Sequence, residues 1–430
     1  MTRTNDTTVV SVLHPICCGL DIHKEFVTAC LIITDSLDKH RSVLESFGTF
    51  TDDLVRLREW LLDHECPIVA LESTGVYWRP VHNILEGYLT VALVNARHIK
   101  NLPGRKTDMS DCQWIATLLR VGFLKASFIP PKIVRHWREL TRYRKSLVEA
   151  LGDVKRQVHK LLESSNIKID SVVSVLFGKT GRNLMDLLAK DHSELTLQAV
   201  QICLRGTLKS KATELFRAVQ GFFEDHHRWM LREMLDRIKQ QEANLVRVES
   251  RLRDLLQPHD ELIERITQIP GIGPTAAYAI LSETGTTLES FPNAAALCSW
   301  AGVCPANNES AGKRRSTRSP VRRSHLRTHL VEAAWGAVKT KSSYLRSKYF
   351  SLKSRLGPKK AIMAIAHRIL KALYYIIKQG DSFRDLGENY LINLRSQSMT
   401  LYLDRQAKKL GMLLMIPETL WNQTINRPPA

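Results

Sequence analysis

The spacing of apolar residues changes near residue 130, and no single fold class accommodates what lies on both sides. Upstream, residues 18–22 and 26–33 are short runs rich in apolar and β-branched side chains. The polar triplet His23-Lys24-Glu25 separates them, a hairpin pattern. Residues 43–50 supply a third strand. Residues 52–62 then switch to helical steps (Leu54, Leu57, Leu61, Leu62) behind a Thr-Asp-Asp start. A buried strand over 67–71, a helix over 76–85 and a strand over 89–94 follow. The order βββαβαβα predicts an α/β domain. Beyond Pro130 the apolar period is helical throughout, so the fold class is α/β plus all-α.

Carboxylates fall at the ends of two of these strands. Asp21 ends the first, in Gly19-Leu20-Asp21-Ile22-His23-Lys24, and Glu72 ends the fourth, in Ala70-Leu71-Glu72-Ser73-Thr74-Gly75. A further pair, in Lys106-Thr107-Asp108-Met109-Ser110-Asp111, precedes the apolar steps Trp114, Ile115, Leu118 and Leu119. On a helix, Asp108 and Asp111 would share one face with their Cβ atoms about 5–6 Å apart. Carboxylates that close repel unless a cation lies between them. A helix N-terminus, which favours Asp through capping and the macrodipole, would explain the pair alone better. All four acids in this order favour a hard divalent cation that takes oxygen ligands and acts on phosphates.

Strands one and four carrying acids in a βββαβαβα order is the ribonuclease H-like arrangement. The Gly-Leu-Asp-Ile-His-Lys, Leu-Glu-Ser-Thr-Gly and Lys-Thr-Asp-x-x-Asp blocks resemble the DEDD transposases of bacterial insertion sequences, whose N-terminal domain is RuvC-like. Asn95-Ala96-Arg97 is similar to that family too, while Cys112 stands where it commonly has Ala. The resemblance implies that Asp21, Glu72, Asp108 and Asp111 hold Mg²⁺, with Mn²⁺ an alternative.

From 130 to about 258 the pattern is that of long helices. Leu147, Leu151, Val154, Val158 and Leu161 step by four and three. Leu231, Met234, Ile238, Gln241, Leu245, Val248, Leu252 and Leu255 sustain heptads with one polar intruder. Joined by the mixed segment 166–221, the two predict either a coiled-coil arm that pairs chains or an ordinary core-facing helix pair. Next, Ile269-Pro270-Gly271-Ile272-Gly273-Pro274 leads into an apolar helix, as in helix–hairpin–helix turns. Its bare N–H groups at Gly271 and Gly273 suit a phosphate.

Residues 302–315 read as a loop, Gly302-Val303-Cys304-Pro305 running through Ser310-Ala311-Gly312-Lys313-Arg314-Arg315. A serine hydroxyl is a poor nucleophile without a base, cation or metal beside it. Surrounding cations stabilise charge on an attacked phosphate. By spacing alone Ser310 is one more loop serine. The block also resembles the C-terminal domain of the same family, and that resemblance makes Ser310 the nucleophile, with Ser316 and Ser319 as runners-up.

Charge is very unevenly placed. The net of +19 contains only −3 over residues 1–124, whereas residues 310–380 hold 18 Lys and Arg and one acid, Glu332. So lopsided a block points to nucleic acid. Its candidate contacts are Lys106, Lys313, Arg314, Arg315, Arg318, Arg322, Arg323, Arg327, Lys359 and Lys360. Helices are expected over 330–337 and 361–377. Trp335, Tyr344 and Tyr349 are available for stacking on bases, with core packing the expected role of Trp335. The eight cysteines show no paired spacing and read as reduced core thiols. With no membrane span or signal peptide in the sequence, a bacterial cytoplasmic, nucleoid-associated protein is expected.

The expected divisions are an N-terminal extension (1–15), a RuvC-like domain (16–128), a helical coiled-coil region (129–260), a C-terminal transposase domain (261–380) and a tail (381–430). The resemblance implies a DNA transposase guided by a structured non-coding bridge RNA, working through a phosphoserine link as a homo-oligomer, dimer or tetramer. Two other functions fit the residues: a Holliday-junction-type nuclease using water, and a non-catalytic nucleic-acid-binding protein.

Overall fold

A computed structural model describes residues 11–35, 39–73, 75–95, 110–190, 192–305, 308–310, 313–316 and 324–412. The chain forms two compact units, residues 1–129 and 130–430.

The first unit is built on a five-stranded mixed sheet. Strands β1 (Ile16–Ile22), β2 (Phe26–Thr34) and β3 (His40–Gly48) form an antiparallel meander. Helix α1 (Thr51–Asp63) leads to β4 (Ile68–Glu72), and α2 (Trp78–Leu85) to β5 (Thr90–Val94). Both later strands run parallel to β1, giving the order β3-β2-β1-β4-β5. Crossing from one parallel strand to the next needs a helix, which is why the meander pattern gives way to βαβ spacing at residue 50. Alternate residues of the sheet feed two cores. Leu20, Leu31, Val69 and Leu71 pack with Leu54, Leu57 and Leu61 of α1 and Val81 and Leu85 of α2. Cys17, Cys30, Ala70 and Val94 pack against α3 (Asp111–Arg120). The edge strand β3 is mostly exposed and carries Arg41 and Glu45, charged groups that discourage pairing with another sheet.

Among the described residues, the regular structure of the second unit is helical apart from one small hairpin. Two long helices, α4 (Lys132–Ser164) and α9 (Asp225–Leu256), pack on each other within the chain. Between them come α5 (Ile169–Val172), α6 (Lys179–Leu188), α7 (Leu197–Cys203) and α8 (Ala212–Ala218). These short helices fill one end of the pair, where Val154, Val158, Leu184, Met185, Leu215, Leu231 and Ile238 share a core. The ordinary core-facing reading therefore holds for this end. The buried row on α9 is Leu231, Leu235, Ile238, Leu252 and Leu256, so Met234 and Leu255 of the expected heptad yield to their neighbours. An α-helix drifts relative to a strict seven-residue repeat, which accounts for the one-residue shifts. In the middle of the pair Leu151, Leu245 and Val248 are only half-buried. Ion pairs bridge it instead, Arg144–Glu249 at 2.6 Å and Lys155–Glu242 at 3.4 Å.

The remaining helices are α10 (Asp260–Thr267), α11 (Pro274–Thr284), α12 (Ala294–Trp300), α13 (His325–Lys339), α14 (Tyr344–Leu356), α15 (Pro358–Gln379) and α16 (Tyr390–Lys409). The start of α4 is tied to the end of α11 through buried Glu283. Its carboxylate takes Arg138 Nε at 3.2 Å and Arg142 Nη2 at 2.9 Å, and Arg138 also donates to the Ser282 and Glu283 carbonyls. Such a bridge is costly to break because the partner charges lose their solvation as well as their mate.

All eight cysteines are free, as expected. Burial pushes the thiols of Cys17, Cys30 and Cys298 up to about 12. No helix among the described residues is long and apolar enough to cross a membrane.

Candidate active site

Strand register carries Asp21 and Glu72 to neighbouring positions. Pairs Gly19↔Ala70 and Leu20↔Leu71 join β1 to β4, so the two acids follow at the next step. By alternation they lie on the same sheet face as Gly19 and Ala70, which is the face that α3 covers. Gly19 is what lets α3 approach. A Cβ there would stand 2.2 Å from the Cys112 carbonyl oxygen and 2.5 Å from the Ala116 nitrogen. The first turn of α3 is thereby held against β1, and the Asp21 charge is felt at Cys112. Three acids, Asp21, Glu72 and Asp111, thus sit at the ends of three adjoining elements. Among the described residues no group of three or more His, Cys, Asp or Glu is gathered so as to hold a metal ion.

Helix α3 begins at Asp111, so the expected pairing of Asp108 with Asp111 on one face falls outside the described residues. Ser110 is extended at the N-cap (ψ 155°), and its backbone N–H donates to Gln113 Oε1 at 3.1 Å. This reciprocal capping fixes the helix start and leaves Asp111 in the first turn, where the macrodipole favours it. Asp108 lies outside the described residues, as do Ala96, Arg97, Lys106, Arg318, Ser319, Arg322 and Arg323.

The sequence reading missed His23. Its Nε2 lies 3.1 Å from Asp21 Oδ2 and its ring packs 4.6 Å from that of Phe26. The signal was present: a tight β1–β2 turn returns residue 23 to the strand end. Gly75, at φ +59°, makes the turn out of β4 in the left-handed region that an L side chain resists.

In the second unit, residues 302–315 are not simply a loop. Strands β6 (Asn308–Ser310) and β7 (Lys313–Ser316) form a small antiparallel hairpin with Ser310 opposite Lys313. Run-on polar and basic residues carry no period-two apolar signal, so the strands were invisible in the sequence. Ser310 ends β6; Lys313, Arg314 and Arg315 lie on β7.

The glycine turn joins α10 to α11, and its two glycines differ. Gly271, at φ +87°, packs against α13, where a Cβ would come within 2.1 Å of the Ala333 oxygen and 2.4 Å of the Ala337 nitrogen. Gly273 is the N-cap of α11 and faces open space, with nothing within 4 Å of an added Cβ. Lys359 and Lys360 are exposed in the first turn of α15, where cations oppose the macrodipole. A bound anion relieves that opposition. Arg327 lies on α13, its backbone N–H donating to the capping Ser324. His325 and His329 lie in the first half of the same helix, and burial foremost, with Lys145 near both and Arg142 near His325, holds both below their usual imidazole range.

Comparison with known proteins completes the picture. Residues 18–167 match the model of the IS110 DEDD transposases, and residues 263–350 match that of the transposase IS116/IS110/IS902 family. A protein from Pseudomonas aeruginosa named as a family 20 transposase is 24% identical over 159 residues, 36% of this chain and 46% of that one. A protein from Sinorhizobium fredii named as a transposase is 26% identical over 130 residues, 29% of this chain and 33% of that one. The chain thus spans less than half the length of these curated relatives. The two family models name the same group and together span more than half of the sequence: this chain belongs to the IS110/IS116/IS902 family of insertion-sequence transposases.

Proposed function

We propose that the protein is a DNA transposase that cuts and rejoins strands through a phosphoserine intermediate, in a reaction guided by a structured bridge RNA. The observation that supports this reading is the register that sets Asp21 and Glu72 side by side on the sheet face against which α3, opened by Asp111, packs. Hard oxygen donors at adjoining element ends fit Mg²⁺ or Mn²⁺, and Asp21, Glu72, Asp108 and Asp111 would hold it. A bound divalent ion would neutralise phosphate charge and ease deprotonation of a hydroxyl. Ser310 Oγ attacks phosphorus; one P–O bond to a deoxyribose breaks as the Ser–O–P bond forms, and the leaving sugar oxygen takes up a proton. The new ester conserves the energy of the phosphodiester, so a second strand's hydroxyl can reverse the step on another end. Lys313, Arg314 and Arg315, beside Ser310 in the hairpin, would stabilise the charge that develops. The block of 18 cations against one acid supports DNA and RNA as partners. Half-buried Leu245 and Val248 on α9 support pairing of chains along the long helices, which would let the acids and the serine be completed within or between protomers.

The test is incubation of the full chain with Mg²⁺, end-labelled element-junction DNA and the flanking transcript, followed by a denaturing gel. Label linked to protein, absent in both Ser310→Ala and Asp108→Ala, is the expected result. Cleavage without linked label and insensitive to Ser310→Ala would move the reading to a hydrolytic nuclease.

A further inference from the structure

The most basic part of the chain also exposes aromatic rings. Trp335 on α13 was expected in the core, yet it is 42% exposed, and Phe350 on α14 is 48% exposed. Both pack on Tyr349, which is buried between the helices; ring centroids are 5.8 Å apart for Trp335 and 5.3 Å for Phe350. Two cations flank Phe350 on the same helix face. The Arg346 guanidinium is 5.3 Å from its centroid and Lys353 Nζ is 5.8 Å away. Arg346 also donates to the Val338 carbonyl at 3.2 Å, which ties α14 to the end of α13 and fixes the guanidinium near the ring. The one acid of this stretch, Glu332, is engaged by His329 at 3.4 Å.

Phosphates alone would call for the cations but not for exposed rings anchored on a buried one. A duplex offers phosphates and groove edges, while the flat faces of its bases are closed inside the stack. An unpaired base exposes its face, and aromatic side chains beside cations are what such a base stacks on. We propose that Phe350, flanked by Arg346 and Lys353 and backed by buried Tyr349, is a stacking platform for an unpaired nucleobase of a single-stranded segment. The cations hold the adjoining phosphates. This rests on the nucleic-acid reading above and adds the class of ligand to it: a single strand, from melted DNA or from an RNA loop.

The test measures binding of the full chain to single-stranded DNA, single-stranded RNA and duplex DNA of one length, each carrying 2-aminopurine as a stacking reporter. Phe350→Ala should weaken single-strand binding about tenfold and abolish the fluorescence quenching, since stacking on one aromatic ring is worth that much or more. Duplex affinity and the dependence on salt should stay as in the wild type, because no phosphate contact is removed. Phe350→Tyr should restore both signals, which separates loss of stacking from misfolding. A loss confined to DNA or to RNA identifies the source of the strand. Equal losses on duplex and single strands, no loss, or failure of Phe350→Tyr to rescue would overturn the platform. Wild-type protein that binds none of the three would overturn the nucleic-acid reading with it.

Discussion

The acidic end of the first unit and the basic helices of the second use charge in opposite ways. In the first, Asp21 and Glu72 sit one step past paired residues of neighbouring strands, and Asp111 opens a capped helix brought close by Gly19. The proposed divalent-ion role would need ligands placed to a fraction of an ångström, a precision that regular elements favour. In the second, cations are spread over α13, α14, α15 and the β6–β7 hairpin, and many are exposed on helices whose other faces are core. Attraction to a polyanion acts over a Debye length and tolerates such spreading. Single substitutions should therefore act almost all-or-none in the first unit and by small increments in the second.

The largest effect expected is that of Asp21→Ala. In the proposed role Asp21 is one ligand of a catalytic ion, whose loss would remove several kcal/mol of transition-state stabilisation, so strand cleavage should fall about a thousandfold. Asp21 is partly exposed and, among the described residues, pairs with His23, so its removal should leave stability within about 0.5 kcal/mol of wild type by urea titration. A variant that lost stability in step with activity would make Asp21 a structural residue and erase the contrast. Gly19→Ala should do the reverse. Its new methyl group would collide with the backbone of α3 at Cys112 and Ala116 rather than with a movable side chain. Overpacking of that kind costs about 3 kcal/mol, read as a lower urea midpoint for the first unit, and cleavage falls because α3 is displaced. If Gly19→Ala folds as stably as wild type, the close approach of α3 is not what sets the acids in place.

How much of this was legible in the sequence follows the same division. Strands β1, β4 and β5 announce themselves through short β-branched runs, and the acids at two of their ends through the motif blocks. The start of α3 did not, because Ser110 followed by Asp111 reads as easily inside a helix as at its start; the reciprocal Ser110–Gln113 cap places Asp111 in the first turn. Gly19 was quoted as part of a motif, but only the packing gives its reason. In the second unit α16 escaped notice because, of its apolar side chains, Leu391 is buried while Ile392, Leu394, Met399, Tyr402 and Leu403 are exposed, so no stripe faces a core. Trp335 was expected in the core and Tyr349 was left available for stacking, yet Tyr349 is buried and Trp335 exposed, since a sequence does not say which ring of a cluster ends up outermost.

Lys360→Ala probes the spread charge. Removing one phosphate contact should weaken binding to every DNA sequence by the same few-fold factor and reduce the slope of log affinity against log salt by about one. Titrating binding over a range of salt measures both. A thousandfold loss from this one change would mean that the cations of α15 are as precisely used as the acids, and the contrast between the units would fail.

The smallest effect concerns an acid of the second unit whose work is structural. Glu242 on α9 receives Arg182 through both carboxylate oxygens, at 2.5 and 2.9 Å, with Lys155 at 3.4 Å. The hydrogen bonds from Arg182 foremost, and the Arg182 and Lys155 charges with them, hold its carboxyl below the usual 4.5 despite partial burial. A carboxylate depressed in the folded state binds its proton more readily once unfolded. Its stabilisation is therefore complete above the unfolded value and is lost as pH falls through the folded one. The group is about one-third exposed, so solvent screening limits the contribution to about 1 kcal/mol or less. Urea midpoints should then separate wild type from Glu242→Gln by that amount near neutrality and converge below pH 4.5. A separation that persisted in acid would mean that Glu242 acts through shape and hydrogen bonding rather than through charge. The acids of the second unit would then differ from those of the first in what they touch, and no longer in how they use their charge.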